Sequence, residues 1–359
     1  MFQRDCHLGA TARKAADGAE MIRRRMALAG AAALVAGRGW AAGPDLLERA
    51  RAEGSAVFYT SIDALVAEKM AAAFKAAYPG IELQVERSGA ERIMQRLMQE
   101  ADSNLHVADV VEGSDVTSFI DWKRRGWLAQ YVPAEVARAW PVEERDPDGR
   151  FASVRAHLSV IGYNSRQVKP EDAPKSFADL LAPKWRMRMV KANPSYSGTI
   201  VTSTYAITEA LGWSYLEKLA AQRVMQVQSS TEPPKKVAQG ERPVMVDGNE
   251  YDCFFLKDQG NPIEIVYATE GSPLIAGQAA VLQAAPHPNA ARLFAEFLFS
   301  AECQQLMVDV GGLRSFHPDV KLKTGRTKLS EIKLLRPDPT ALAKAVPEIK
   351  RHYSEIFGV

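Results

Sequence analysis

The side chains best suited to gripping a small solute are concentrated in the stretch 190–203, Val-Lys-Ala-Asn-Pro-Ser-Tyr-Ser-Gly-Thr-Ile-Val-Thr-Ser. Asn193-Pro194 stops a strand, because proline cannot donate to a ladder and biases its predecessor to extended geometry. Gly198 allows backbone to approach a ligand closely. Ser195, Ser197 and Thr199 are of the types that cap the helix that follows. Free N–H groups at a helix start, reinforced by the helix dipole, favour an anion. The same residues also describe an ordinary capped helix with no guest.

Covalent chemistry finds little support elsewhere. The chain has no Gly-x-Ser-x-Gly elbow, no Walker A loop, no Gly-x-Gly-x-x-Gly after a strand and no His-Glu-x-x-His. His7, His106, His157, His287, His317 and His352 stand far apart, so no structural zinc is expected. Of the three cysteines, Cys6 lies near the start, while Cys253 and Cys303 are equally compatible with a pair or with two buried thiols. No nucleophile and base are paired by spacing. The chain reads as a binder, not an enzyme.

The elements that must position such a site alternate between strand and helix. The pattern predicts strands over 56–59, 81–85 and 107–111, with helices over 62–78 and 90–101 between them. Such alternation implies a parallel sheet, in which ligands sit beyond the carboxyl ends of the strands. Those ends are polar: Ser61 and Asp63, Ser88-Gly89, and Glu112 to Asp115 with Ser114 among them. A proline-punctuated, loop-rich stretch follows Trp127, and 152–163 then reads as one strand entering a second lobe. That lobe has strands over 187–190, 225–228, 243–246 and 263–267, and further polar exits at Ser229 and at Glu250-Tyr251. A helix is expected over 176–182, and 272–282 returns to the first lobe. The expected organisation is an α/β fold of two lobes with two hinge crossings. Residues 43–155 plus 273–318 form lobe 1 and 156–272 form lobe 2. A helical tail, 319–359, packs on both. A hinged cleft of this kind closes around a small solute.

With 359 residues and a net charge of +2, the chain has room for two domains and no electrostatic signature for nucleic acid. Residues 1–42 read as an extension and export signal: Arg23-Arg24-Arg25, an apolar run from Met26 to Ala36, then small residues near Ala41-Ala42. The run is too short to span a bilayer, and the arginines admit either general secretory or twin-arginine export. Met1 and Met21 are both candidate starts. The mature protein is expected to be exported, soluble and monomeric.

Between about 55 and 318 the chain resembles the periplasmic solute-binding proteins of ATP-binding-cassette importers. The likeness is to extracellular solute-binding protein family 1, in the branch that contains ferric-iron-binding proteins. It is carried by Val57-Phe58-Tyr59, Arg87-Ser88-Gly89, Ala108-Asp109-Val110 and Val160-Ile161-Gly162-Tyr163-Asn164. Pro183-Lys184-Trp185, Pro194-Ser195-Tyr196-Ser197-Gly198-Thr199 and Gly240-Glu241 with Pro243-Val244 extend it. The resemblance implies the type II two-lobed fold, a small-molecule ligand, and permease and ATPase partners in the inner membrane. Ferric members hold iron with a His after the first strand, a Glu after the third and two adjacent tyrosines, completed by a synergistic anion. Those positions fall at Asp63, Ser114, Glu250 and Tyr251, so one tyrosine is kept. Asp63, Glu250 and Tyr251 still supply hard oxygens suited to Fe(III), and Glu112 is placed to substitute for the lost Glu. Asp63 also reads as a helix cap and Glu250 as a solvated carboxylate. The anion half is better kept, at Ser88-Gly89, Ser195 to Thr199 and Ser229, with His157 near a family arginine position though its first reading is hinge packing.

No cofactor is required on this reading; the cargo is Fe(III) with its anion, an anionic or phosphorylated organic compound, or a zwitterion facing Asp63, Asp247 and Glu250. A sensor subunit that presents its closed form to a membrane histidine-kinase receptor would use the same cleft. An enzyme on this scaffold would need a nucleophile and base converging there.

Overall fold

The computed structural model describes residues 43–359, so the export signal expected in 1–42 lies outside the described residues. The chain opens with α1 (Pro44–Glu53), then β1 (Ser55–Thr60), α2 (Ala64–Ala77), β2 (Glu82–Arg87), α3 (Ala90–Asp102), β3 (Val110–Gly113) and α4 (Val116–Arg124). After α5 (Ala134–Ala139) come β4 (Ala152–Leu158), β5 (Ile161–Asn164) and β6 (Met189–Ala192). Then follow α6 (Gly198–Leu211), α7 (Trp213–Ala221), β7 (Met225–Val227), α8 (Glu232–Ala238), β8 (Val244–Met245), α9 (Glu250–Asp258) and β9 (Ile263–Val266). The chain ends with β10 (Ser272–Val281), α10 (Pro288–Phe299), α11 (Ala301–Gly311), β11 (Leu334–Leu335) and α12 (Pro339–Phe357).

Two sheets organise two lobes. The first runs β11-β10-β3-β1-β2 with β4 against β10; β1 pairs parallel to β2 and β3, and β10 antiparallel to β3 and β4. The second runs β7-β6-β8-β5-β9, with β6 parallel to β7 and β8. Each parallel pair is separated by a crossover helix, as alternating periodicity demands. The first core centres on Phe58, Phe74, Phe294 and Phe297, whose rings meet mostly edge to face. The second centres on Trp185, Phe177, Tyr215, Leu216 and Tyr353. Asp109 ties the first sheet together by accepting from the N–H of Val57 at 2.8 Å and of His287 at 2.7 Å.

The chain crosses between sheets at 159–160 and again at 267–271. The expected single strand over 152–163 is therefore two, β4 in one sheet and β5 in the other. The first crossing runs beside the start of β10, into which the second crossing leads: Ser159 N donates to the carbonyl of Pro273 at 3.0 Å. Paired extended strands of this sort bend together, which is what a hinge needs.

Four more local readings differ from the structure. The helix expected over 176–182 is a 3-10 turn, Ala178–Leu181. The loop-rich stretch holds α5, and α4 begins where only a strand exit was read; Asp115 caps α4 by accepting from Thr117 N at 3.0 Å. The tail expected to be helical holds a short strand, β11, before its one long helix, α12. Of the two states left open for Cys253 and Cys303, the structure has two free, buried thiols. Among the described residues no helix is long and apolar enough to cross a membrane.

Candidate ligand-binding cleft

Helix starts from both lobes converge where the strands end. Asp63 caps α2 by accepting from Leu65 N at 3.0 Å, Gly89 precedes α3, and Asp115 caps α4. From the second lobe come Ser197 and Gly198 at α6, Thr231 at α8 and Asn249 at α9. The lobes meet at close range: a Cβ on Gly198 would lie 2.6 Å from Asp115 Cβ and 3.3 Å from its Cα. Only glycine permits that approach.

A polar chain crosses the same interface. Glu112 is fully buried and accepts from Thr60 Oγ1 at 2.7 Å, from Ser61 N at 2.9 Å and from Arg155 Nε at 2.8 Å. Arg155 also donates to Ser61 Oγ at 3.1 Å and lies 3.2 Å from His157 Nδ1. Burial, and after it the Arg155 charge, holds the His157 pKa well below its ordinary value, so the ring is neutral. Arg155 has only protons to give, so Nδ1 accepts and Nε2–H donates to Thr199 Oγ1, 3.3 Å away in the second lobe. The His157 ring also packs edge-on against Tyr251, with centroids 5.3 Å apart.

Beside this chain lies a cavity of about 270 Å³ whose walls come from both lobes. Asp63, Leu65, Val66 and Arg87 contribute from the first, and Thr231, Lys235, Tyr251, Asp252, Phe255 and Leu256 from the second. Asn249 organises the second wall through one amide nitrogen, 2.9 Å from both Tyr251 Oη and Asp252 Oδ2. Burial pushes the Asp252 carboxyl up to about 7, with the Asn249 hydrogen bond and Lys235 opposing and Asp63 adding to the rise. Burial, then Asp252, raises the Tyr251 phenol. Larger hollows exist, but their walls differ in character. One of about 760 Å³ is lined mainly by apolar side chains of the first lobe, including Val136, Phe151 and Leu298. Another of about 1020 Å³ lies against α4, β10 and the segment before α12.

The structure thus brings Ser61, Asp63, His157, Thr199 and Tyr251 into one hydrogen-bonded or cavity-lining group. Ser88 and Gly89 directly follow Arg87, and Gly198 forms the lobe contact. Ser195 N is taken by Asn193 Oδ1 at 2.8 Å, and Ser197 stands at the α6 cap without a side-chain capping bond. Ser229 is engaged in the α8 start, its N–H donating to Glu232 Oε1 at 3.0 Å. Ser114 faces the 1020 Å³ hollow.

Of two carboxylates read as ligands, Glu250 has both oxygens committed to other partners, while Asp247 has one committed and its buried Oδ1 without a described partner. Glu250 is 1% exposed and receives Arg314 Nε at 2.8 Å and Nη2 at 2.7 Å, with Tyr267 Oη also donating to it. Asp247 Oδ2 is held by buried Lys191 at 2.7 Å and by Ser203 Oγ at 3.1 Å. A bidentate arginine clamp leaves Glu250 no oxygen to offer a cation. The metal trio of Tyr251, Asp63 and Glu250 is accordingly split: two members line the cavity and the third is locked behind it. Among the described residues no group of three or more His, Cys, Asp or Glu is disposed to hold a metal ion.

Lys235 and Asp252 escaped the reading of the sequence, and Arg87 and Asn249, both at strand exits, were not assigned to the site. Pro233-Pro234 concealed α8, although proline is welcome in a first helical turn. Reading 249–258 as a helix would have placed Asn249 and Asp252 on one face by their i,i+3 spacing.

Residues 58–305 match the family of bacterial extracellular solute-binding proteins. An uncharacterised protein of Haemophilus influenzae is 25% identical over 279 residues, covering 74% of this chain and 79% of that protein. The periplasmic binding protein AfuA of Actinobacillus pleuropneumoniae, solved with exogenous fructose-6-phosphate bound, superposes with a TM-score of 0.77 at 22% identity, covering 85% of this chain and 99% of AfuA. Iron-bound HitA of Pseudomonas aeruginosa superposes at 0.73 and 21% identity, covering 83% and 99%.

Proposed function

This chain belongs to the family of bacterial extracellular solute-binding proteins, and from that premise we propose that it captures a small charged solute in the periplasm and delivers it to an ATP-binding-cassette permease. The observation that carries the reading is the cavity walled by charged residues of both lobes beside a two-stranded hinge. A guest touching Asp63 and Arg87 on one side and Lys235 and Asp252 on the other favours the closed form over the open one, so binding and closure are one event. The closed lobes are then the surface a membrane permease, with its ATPase subunits, reads. The guest leaves unaltered. The nucleophiles near the cleft, Ser61 and Thr199, lie in a chain fixed by Arg155 and neutral His157, and among the described residues no carboxylate orients His157 as a base.

Of the two cargo classes, an organic anion suits this wall better than Fe(III). A ferric site needs several anionic oxygens free at once, and here Glu250 is spent on Arg314 while two cations, Arg87 and Lys235, enter the cavity. The test is native mass spectrometry of protein taken from its own host, with a visible spectrum on the same sample. An organic guest at one per chain, identical before and after incubation, is expected. A phenolate-to-iron absorption band would reassign the cargo, and a chemically altered guest would make the protein an enzyme.

A further inference from the structure

The charges near the cleft divide into two kinds. Those outside the cavity are satisfied in pairs: Glu112 with Arg155, Glu250 with Arg314, Lys191 with Asp247. The four lining the cavity form no ion pair with any described residue. Asp63 accepts only the capping N–H of Leu65, Arg87 Nε donates to the carbonyl of Ile62 at 3.2 Å, and Asp252 accepts from Asn249. No described group receives a hydrogen bond from Lys235 Nζ. Each sign is supplied once by each lobe: Asp63 and Arg87 from the first, Asp252 and Lys235 from the second. They sit close enough that Asp63, Arg87 and Lys235 all act on the Asp252 carboxyl.

A guest of one sign satisfies only half of this ring. A plain oxyanion between Arg87 and Lys235 leaves Asp63 facing it and Asp252 without the ammonium that would draw out its proton, and a plain amine leaves two cations facing it; each single-sign guest is mismatched. Between the charged groups Leu65, Val66, Phe255 and Leu256 offer apolar wall suited to a short run of methylenes. We propose that the guest is a small zwitterion, an oxyanion head and a primary ammonium joined by a short carbon chain. The head is held between Arg87 and Lys235 and the ammonium between Asp63 and Asp252. Both ends of such a guest bridge the lobes, so each charge of the molecule pulls the hinge shut. This assignment rests on the reading of the cleft as a solute site and narrows it to one ligand class.

The test is calorimetric titration with ω-amino alkyl phosphates and ω-amino carboxylates of two to four carbons, against inorganic phosphate, ethanolamine and ferric citrate, with small-angle scattering on each mixture. At least one zwitterion binds tenfold or more tightly than either single-sign probe and contracts the molecule. Arg87→Gln and Lys235→Gln each weaken it tenfold or more, and Asp252→Asn does the same while leaving phosphate binding unchanged or stronger. The assignment is overturned if phosphate, ethanolamine or ferric citrate binds as well as the best zwitterion, or if no zwitterion surpasses them. In either case a contraction with any probe, or a guest ejected from the native protein, leaves the solute-binding reading standing. A protein that carries no guest and never contracts overturns both.

Discussion

The carboxyl of Asp252 shows what a single residue commits to binding. Its pKa of about 7 against an ordinary 3.8 means that the folded protein holds that proton more tightly than the unfolded chain does. The associated stability is fully present below the ordinary value and is lost as the pH rises through about 7. Asp252→Asn removes that loss and still accepts from Asn249. The variant is expected to gain on the parent by an amount on the order of 2 kcal/mol between pH 5 and pH 8, read as a widening gap between their thermal midpoints. A constant gap across that range would mean that Asp252 is not protonated in the fold. At this scale the sequence was partly legible. Asp63 and Tyr251 belong to the cavity as their strand-exit positions suggested, and Asp63 is at once cap and wall. Glu250 looked equivalent to Tyr251, but Arg314, 64 residues further on, claims both its oxygens, and no local pattern announces such a partner.

Among the elements, α6 is the one that has to fit. Its first residue, Gly198, sits against the Asp115 backbone of the opposite lobe with no room for a methyl group. Gly198→Ala introduces that methyl without backbone strain, since the residue begins a regular helix. The two lobes are expected to fold as before, with a stability within about 1 kcal/mol of the parent's, while guest affinity falls at least tenfold because closure is blocked. An affinity equal to the parent's would show that the Gly198–Asp115 contact is not part of the bound state. The glycine-bearing turn was evident from composition alone, and so was the alternation that builds both sheets. Elements whose signals conflict were not: α8 begins close to two prolines, and the break between β4 and β5 falls at Ser159-Val160, where no glycine or proline marks it. Which sheet a strand joins is decided by long-range pairing, which periodicity does not encode.

At the scale of the whole molecule, α12 spans the two lobes. Tyr353 is buried in the second core and bonds Gln226 at 2.7 Å, and His352 stacks on Trp213. Nearer its start, Leu342 and Ile349 pack with Val201 and with Val116 of α4, and Lys350 Nζ reaches Glu91 of α3 at 3.0 Å. Burial raises the Glu91 pKa even with Lys350 beside it, so the pair is a partly desolvated one. With α12 carried by the second core, where Tyr353 is buried, opening the hinge is expected to separate Lys350 from Glu91. Lys350→Met is therefore expected to weaken guest binding about three- to tenfold, in line with about 1 kcal/mol for such a pair, and the swap Glu91→Lys with Lys350→Glu to restore most of it. No change in affinity would place the pair outside the closing motion.

The most direct check of the account is the distance between the lobes. Cys253 and Cys303 are buried, so with Cys6→Ser in place, spin labels attach selectively at Lys75→Cys on the first lobe and Gln239→Cys on the second. Electron–electron distance measurements should give a broad, long distribution for the emptied protein and a narrow, shorter one when its native guest is returned. In Gly198→Ala the long distribution should persist. A single distribution, unmoved by the guest and shared by the variant, would contradict a hinge that closes on a solute.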